Sequence, residues 1–453
     1  MYPPSFRFDG CAGLDRRRAS RERCGMTTSS PAAHPMKAQR RVLLASLIGT
    51  SVEFYDFYIY ATAAALVFGP LFFPSESQSA QLLLSYASFG LAFFARPLGA
   101  AIFGHFGDRL GRKSTLVASL MLMGGSTVLI AFLPGYNQIG WVAPLILCVL
   151  RFGQGLGLGG EWGGASLLAV ENAPRGWENR YGMFPPLGAP IGFIAANGFF
   201  LILGVLLTDE QFRDWGWRLP FLASAVLVGL GLWVRLKLTE TPAFLDAAAQ
   251  EALPKVPLAS LLRTHLRPTI AGTVGVIACF ALFYLTTAFA LSYGTTTLGH
   301  GRQVFLGLEI GAVLFLALGV IMSCIWADRR GAAAMLKLGF AGCVIAGLLM
   351  GPMLGAASLF VVFAWLAFAL FAMGFAYGPL GGWLPSLFEP GVRYTGVSVT
   401  FNLGGIVGGA LAPIFAQMLA ERGGLNLVGA YLVVAGVLSL GGLMLLKRPP
   451  TAI

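Results

Sequence analysis

Charge is what this chain has least of. Asp, Glu, Lys and Arg make up 11% of its 453 residues, whereas 56% are hydrophobic, and mean hydropathy is +0.74. No ordinary soluble domain has that balance. Cysteine is also sparse, at six residues. Cys148, Cys279, Cys324 and Cys343 fall inside apolar runs, and Cys11 and Cys24 lie in a polar N-terminal stretch. This is neither a disulfide framework nor a metal-ligand spacing. There are four histidines, His34, His105, His265 and His300, each in a tail or turn. HExxH, a nucleophile–base pair and a nucleotide motif are all missing. The Gly-rich run 153–160 lacks the Gly-Lys-Ser/Thr ending of a phosphate loop and reads as helix packing. Enzymatic chemistry and bound cofactors are therefore not expected.

What the chain does have is long apolar runs. Twelve of them can cross a bilayer, in rough bounds 41–68, 80–103, 114–133, 141–169, 180–207, 217–238, 268–292, 303–326, 332–354, 357–386, 395–419 and 425–446. The turns between them are short, which predicts an all-α membrane protein of antiparallel helices. The 60 glycines suit helices that pack through small residues. The net charge of +11 is distributed as a membrane protein's is, not as a nucleic-acid binder's. With the N-terminus inside, 25 of the 31 Lys and Arg fall on inside segments and four on outside turns. Both termini are thus expected in the cytoplasm. Residues 1–40 form a polar, Arg-rich tail expected to be disordered and not a signal peptide, with Met1, Met26 and Met36 as alternative starts. Residues 447–453 form a short C-terminal tail. Trp215 and Trp217 are placed in an interfacial aromatic belt.

The longest internal polar segment, 239–267, divides the chain into halves of six spans, 41–238 and 268–446. Gly104-His-Phe-Gly-Asp-Arg-Leu-Gly-Arg-Lys113 follows span 2, and a degenerate echo, Ala327-Asp-Arg-Arg-Gly331, follows span 8. That offset predicts a parallel six-helix repeat with pseudo-symmetric halves.

Polar groups inside the spans carry the functional expectation, because each is costly if unpaired in hydrocarbon. Span 1 places Glu53 and Asp56 on one helix face; span 2 has Arg96 before Pro97; span 4 has Arg151 and Gln154 on one face, with Glu161 about 15 Å further along. Asp56, with Glu53, set opposite Arg151 makes either a proton-coupling or substrate-coordinating site or a structural salt bridge. Arg96 is a substrate ligand, part of a gating kink, or the partner of Glu161. The second half offers Glu309 as its only comparable acid, and neutral groups in Tyr284, Tyr293, Tyr377, Trp383 and Asn402.

Several stretches together resemble the metabolite:proton symporter family of the major facilitator superfamily. They are Glu-Phe-Tyr-Asp-Phe-Tyr58, Phe94-Ala-Arg-Pro-Leu-Gly99, the 104–113 loop, Gly160-Glu-Trp-Gly-Gly-Ala165, Glu240-Thr-Pro242 and Arg393-Tyr-Thr-Gly396. The resemblance spans roughly 40–446. It implies the major facilitator fold, an inner-membrane location in bacteria and proton-coupled symport by alternating access. It implies proton-coupling roles for Asp56 and Arg151 and a carboxylate contact for Arg96. Substrate is then expected near Arg96, Tyr58, Gln154, Glu161, Asn197, Tyr284, Tyr377, Trp383 and Asn402. A cytoplasmic gate is expected from Gly104, Asp108, Arg109, Gly111, Arg112, Lys113, Glu240, Asp328, Arg329, Arg330 and Arg393. The family's usual Glu-Leu-Phe-Pro reads Ser386-Leu-Phe-Glu-Pro390 here, span 5 has no second basic residue, and the truncated 327–331 loop predicts a weaker second-half gate. The expected partners are protons, the lipid bilayer and a small polar metabolite, foremost an organic acid, with a monomer as the working unit. A proton-driven exporter and a non-transporting sensor are the alternatives.

Overall fold

The computed structural model describes residues 40–110, 112–159, 161–236, 261, 263–389 and 392–445. The expectations for the N-terminal tail, Gly111, Glu240 with most of the central segment, and 447–453 lie outside the described residues, as do the side-chain surroundings of Gly104, Asp108, Arg109, Arg112 and Lys113. Every regular element among the described residues is helical.

Nine helices are long and apolar enough to cross a membrane, and a bent pair, Asp209–Gly216 with Arg218–Trp233, supplies a tenth. One of the nine, Arg393–Met444, is broken by non-helical backbone at Gly423 and Gly424 and so makes two spans. With the shorter apolar helix Val117–Ile130 the described residues hold twelve apolar segments, consistent with the twelve runs of the sequence. In order they are α1 (Ser46–Phe72), α2 (Gln78–Phe103), α3 (Arg112–Ile130), α4 (Val142–Glu171), α5 (Glu178–Leu206), α6 (Arg218–Leu236), α7 (Leu266–Thr296), α8 (Arg302–Arg330), α9 (Ala332–Leu354), α10 (Leu359–Ser386), α11 (393–422) and α12 (425–444). The sequence-derived runs match these within a few residues at most ends. The α11–α12 connection differs: the expected turn is a bend, made where Gly424 takes φ of 69°.

The internal repeat has a structural counterpart. One π-helical turn interrupts α1 at Ala64–Phe68 and another interrupts α7 at Leu285–Phe289, at nearly the same depth in the first helix of each half. Such turns leave backbone carbonyls without their regular partner. In α1 the Ser85 hydroxyl of α2 supplies one, donating to the Ala64 carbonyl at 2.7 Å.

Glycine sets how closely the helices approach. On α4, a Cβ at Gly155 would lie 2.3 Å from the Ala92 carbonyl oxygen, and one at Gly159 would lie 2.1 Å from that of Arg96. Both contacts are with α2 backbone, which cannot move aside as a side chain can. The Gly-rich run thus brings Arg151 and Gln154 of α4 against α1 and α2. Replacing Gly155 by Leu is expected to remove most of the folded protein. Overpacking alone costs about 1–3 kcal/mol, and here the obstacle is main chain. Detergent-extracted yield of a monodisperse peak checks this, with Gly125→Ala, which meets nothing within 4 Å, as the control.

Trp217 departs from the aromatic-belt expectation. It is fully buried, edge-on to Phe68, Phe72 and Phe221 at 5.5–6.0 Å, whereas Trp215 is 44% exposed.

Candidate functional site

Three layers of polar contact lie along the axis between the two sets of six helices. The deepest is a hydrogen-bond chain within the first six. Asp56 of α1 accepts from the Ser224 hydroxyl of α6 at 2.5 Å. Its other oxygen faces the Thr127 hydroxyl of α3 at 3.4 Å. Thr127 accepts from Gln154 Nε2 at 2.7 Å, and Gln154 Oε1 accepts from Arg151 Nη1 at 2.8 Å. All five side chains are buried. The direct Asp56–Arg151 pairing expected from sequence is therefore replaced by a relay: Thr127 and Gln154 stand between acid and base. Periodicity could place Arg151 and Gln154 on one face, but it carried no information on which α3 residue would intervene. The guanidinium of Arg151 is held instead by rings, 4.4 Å from the Phe57 centroid and 4.0 Å from that of Tyr60, and by the Phe89 carbonyl at 3.3 Å. Its Nη2 has no hydrogen-bond partner.

The second layer is a cavity between the halves. Glu53, Arg96 and Trp162 line it from α1, α2 and α4; Tyr284, Ser398 and Asn402 line it from α7 and α11. Its volume is only about 20 Å³, room for about one water. Arg96 lies over the Phe57 and Phe93 rings at 4.6 and 4.8 Å, and its Nε is buried without a hydrogen-bond partner. The Trp162 and Phe401 rings stack with centroids 3.6 Å apart, and Trp162 Nε1 donates to the Tyr377 hydroxyl at 3.1 Å. Asn402 Nδ2 donates to the Gly159 carbonyl at 2.9 Å, tying α11 to α4. Of the expected substrate ligands, Arg96, Tyr284 and Asn402 converge here, with Tyr377 behind Trp162. The others are elsewhere. Gln154 belongs to the relay. Glu161 accepts from Ser119 of α3 at 2.9 Å and does not line the Arg96 cavity. Trp383 packs against Gly275 and lines neither cavity. Tyr58 lines a second, smaller cavity, and Asn197 sits beside it, accepting from Thr62 at 2.6 Å.

The third layer joins the halves at both ends. On the face that carries the α2–α3 turn, Asp328 of α8 accepts from the backbone N–H groups of Asn179 and Arg180 at 2.9 and 3.3 Å and pairs with the Arg180 guanidinium at 3.2 Å. The Ser166 hydroxyl donates to the Gly381 carbonyl at 3.1 Å on the same side. The truncated second-half loop thus makes a cross-half contact through Asp328. Asp328 alone of that loop's charges makes it, since Arg329 and Arg330 are exposed. Arg393 donates locally to the Phe388 carbonyl. Arg180 was missed as a gate residue: it lies beyond the 104–113 motif, and only the fold reveals its partner. On the opposite face Arg302 pairs with Asp209 at 3.0 Å and lies over Phe212, and Gln303 donates to the Gly204 carbonyl at 2.6 Å. Among the described residues, contacts between the halves are thus present at both ends. Asp328→Asn is expected to open the motif face. Loss of a charged acceptor with three donors is worth about 1.5–3 kcal/mol, which shifts the population by one to two decades. The rate of thiol labelling of a cysteine at Ser398 from that face measures it.

Residues 42–255 match the family described as Sugar (and other) transporter. The inner membrane metabolite transport protein YhjE of Escherichia coli K12 is 49% identical over 91% of this chain and 94% of its own length. The chain belongs to the major facilitator superfamily, among its metabolite transporters. The shikimate transporter of the same organism is 37% identical over 90% of this chain and 94% of its own, and a putative proline/betaine transporter of Staphylococcus aureus is 31% identical over 88% and 86%. The solved xylose transporter XylE of E. coli, in a partially occluded inward-open state, superposes with a TM-score of 0.71 at 15% identity, covering 91% of this chain and 98% of that one. The protein is thus a multi-pass membrane transporter of the major facilitator fold, not an enzyme.

Proposed function

We propose that the protein is a proton-coupled symporter that imports a small polar metabolite, foremost an organic acid, across the bacterial cytoplasmic membrane by alternating access. The carrying observation is Arg96. It is a buried guanidinium with an unpartnered donor, facing a cavity that the two halves share. A cation desolvated and left with an unused N–H is a standing cost that a ligand carboxylate removes. The face with the α2–α3 turn is then cytoplasmic, by the bias of Lys and Arg toward that side.

Coupling runs through the Asp56 relay. The single proton of the Thr127 hydroxyl has two acceptors in reach, the Met123 carbonyl at 2.9 Å and Asp56 at 3.4 Å. Protonating Asp56 removes the pull of its charge, leaving the hydroxyl to Met123. Asp56 then holds Ser224 and Thr127 less firmly, loosening α1 from α3 and α6. Through Gln154 the change reaches Arg151 without direct contact. Substrate at Arg96, whose ring partner Phe57 is next to Asp56 in sequence and also packs under Arg151, is placed to feel it.

A zwitterion is the second reading. Glu53 lines the same cavity as Arg96, and Trp162 and Tyr284 offer π-faces, so a carboxylate and a cationic group could both be met. Uptake into proteoliposomes under an imposed inward pH gradient decides between the two readings, with labelled α-ketoglutarate, citrate, succinate, shikimate, proline and glycine betaine. Gradient-dependent uptake of one acid supports the first, and of proline or betaine the second. Efflux driven by the gradient, with no uptake, overturns both in favour of an exporter.

A further inference from the structure

Glu309 lies on α8 about 10 Å below its Arg302 end, at 1.5 Å per residue. It is 1% exposed, and its Oε1 has no hydrogen-bond partner. It faces a second cavity, separate from that of Arg96 and displaced toward the opposite face of the membrane. Tyr58 and Thr62 of α1 and Phe193 of α5 line it from one half; Thr287 and Glu309 line it from the other. An aromatic layer divides the two cavities: Phe57 packs on Tyr284, and Tyr58 on Phe283, at 6.2 and 5.3 Å between centroids.

We propose that Glu309 is a second protonation site, loaded from the outer face, whose neutralisation permits that face to close. This rests on the alternating-access reading above. A carboxylate in a dry cavity is stable only if it is neutral or meets a cation. Among the described residues its surroundings contain no such cation. The titratable groups beside it are the phenols of Tyr58 on α1 and Tyr86 on α2. From α5 and α7 the neighbours are the neutral Asn197, Thr287 and Ser292. The chain of α10 holds no charged residue, and the one Lys of α9, Lys337, lies near its far, motif-face end. Arg302, two turns away on α8, is engaged with Asp209. Nor does the cavity hold a metal cation comfortably. Its volume is only about 10 Å³, at the lower limit for a single water, which leaves no room for the shell of oxygen ligands a metal cation needs. A proton on the carboxyl is the occupant that fits.

Location makes that proton consequential. The cavity wall comes from both halves, so opening the outer face separates α7 and α8 from α1 and α5 and admits water to Glu309. Hydrated, the acid ionises at neutral pH; closing expels the water and requires the proton back. Proton uptake and outer closure are therefore linked, whatever fills the Arg96 cavity.

The test needs no substrate. Ala288 lines the same cavity. An Ala288→Cys variant in right-side-out vesicles is labelled from outside with a small charged methanethiosulfonate across external pH, each rate divided by that of a cysteine at the exposed Thr297 to remove the thiol's own ionisation, with the parent protein as blank for its own cysteines. With Glu309 present, labelling is expected to fall on the order of tenfold as pH drops from about 8.5 to 5.5, one pKa unit of linkage being worth a factor of ten. Glu309→Gln, a neutral mimic of the protonated acid, is expected to hold labelling at the low value at every pH. Glu309→Asp is expected to restore the pH dependence. Unchanged pH dependence in Glu309→Gln overturns the proposal, as does pH-independent labelling with Glu309 in place, a result available even if the Gln variant does not reach the membrane. Labelling that follows external sodium rather than pH overturns it in favour of a metal cation. Failure of the symport reading shows separately, as uptake by the unaltered protein that is indifferent to a pH gradient.

Discussion

Asp56→Asn is expected to abolish concentrative uptake while leaving exchange intact. For one proton per substrate, each unit of imposed pH gradient sustains about tenfold accumulation, so a two-unit gradient separates driven from passive uptake by about a hundredfold. The variant's accumulation ratio should collapse to about one. Counterflow, in which labelled outside substrate exchanges for unlabelled substrate loaded inside, needs no net proton movement and should stay within about threefold, the context spread of single side-chain effects. The reason lies in the relay. Asn keeps an acceptor for Ser224, so α1 and α6 stay joined, but it has no titratable proton and is fixed as an uncharged group. Loss of both activities would mean that Asp56 only holds helices together. Retention of both would move coupling elsewhere. Thr127→Val, which removes the contact between Asp56 and Gln154, should weaken coupling in part while leaving Asp56 able to titrate.

The relay also marks how far the sequence could be read. Twelve runs and their halving were legible because hydrocarbon demands about 20 apolar residues per crossing, a constraint local to each segment. The cost of a buried charge is equally local, so Asp56, Arg96 and Arg151 stood out singly. What connects them is not local. Thr127 is one hydroxyl in an apolar helix with nothing in its neighbourhood to distinguish it, yet it separates the acid from the arginine. Arg180 and Asp328 are 148 residues apart, and their pairing follows from how the halves pack. Glu309 was visible as an isolated acid, but its cavity is built from α1, α5, α7 and α8 together. The aromatic layer between the cavities draws on α1, α2 and α7, and no single helix has a sequence pattern that announces it.

Arg96→Gln is expected to have the largest effect on substrate. Removing one member of a buried, hydrogen-bonded charge pair costs about 3–5 kcal/mol, so affinity for a transported carboxylate should drop by about two to four decades. Arg96→Lys keeps the charge but not the planar fork, and its loss should be smaller, about tenfold. A second readout separates substrate binding from a structural role. With nothing bound, Arg96 has a buried Nε without a partner and rests on the Phe57 and Phe93 rings. Taking a desolvated charge out of that setting removes a cost, so the thermal midpoint of the ligand-free Gln variant should be unchanged or higher. Substrate should raise the midpoint of the unaltered protein and not that of the variant, since stabilisation by a ligand follows its occupancy. If instead the variant melts lower without ligand, the guanidinium is holding α2 against α1 through its rings, and the carboxylate of the substrate must be met by another donor in the cavity, of which Asn402 and Ser398 are the nearest by position.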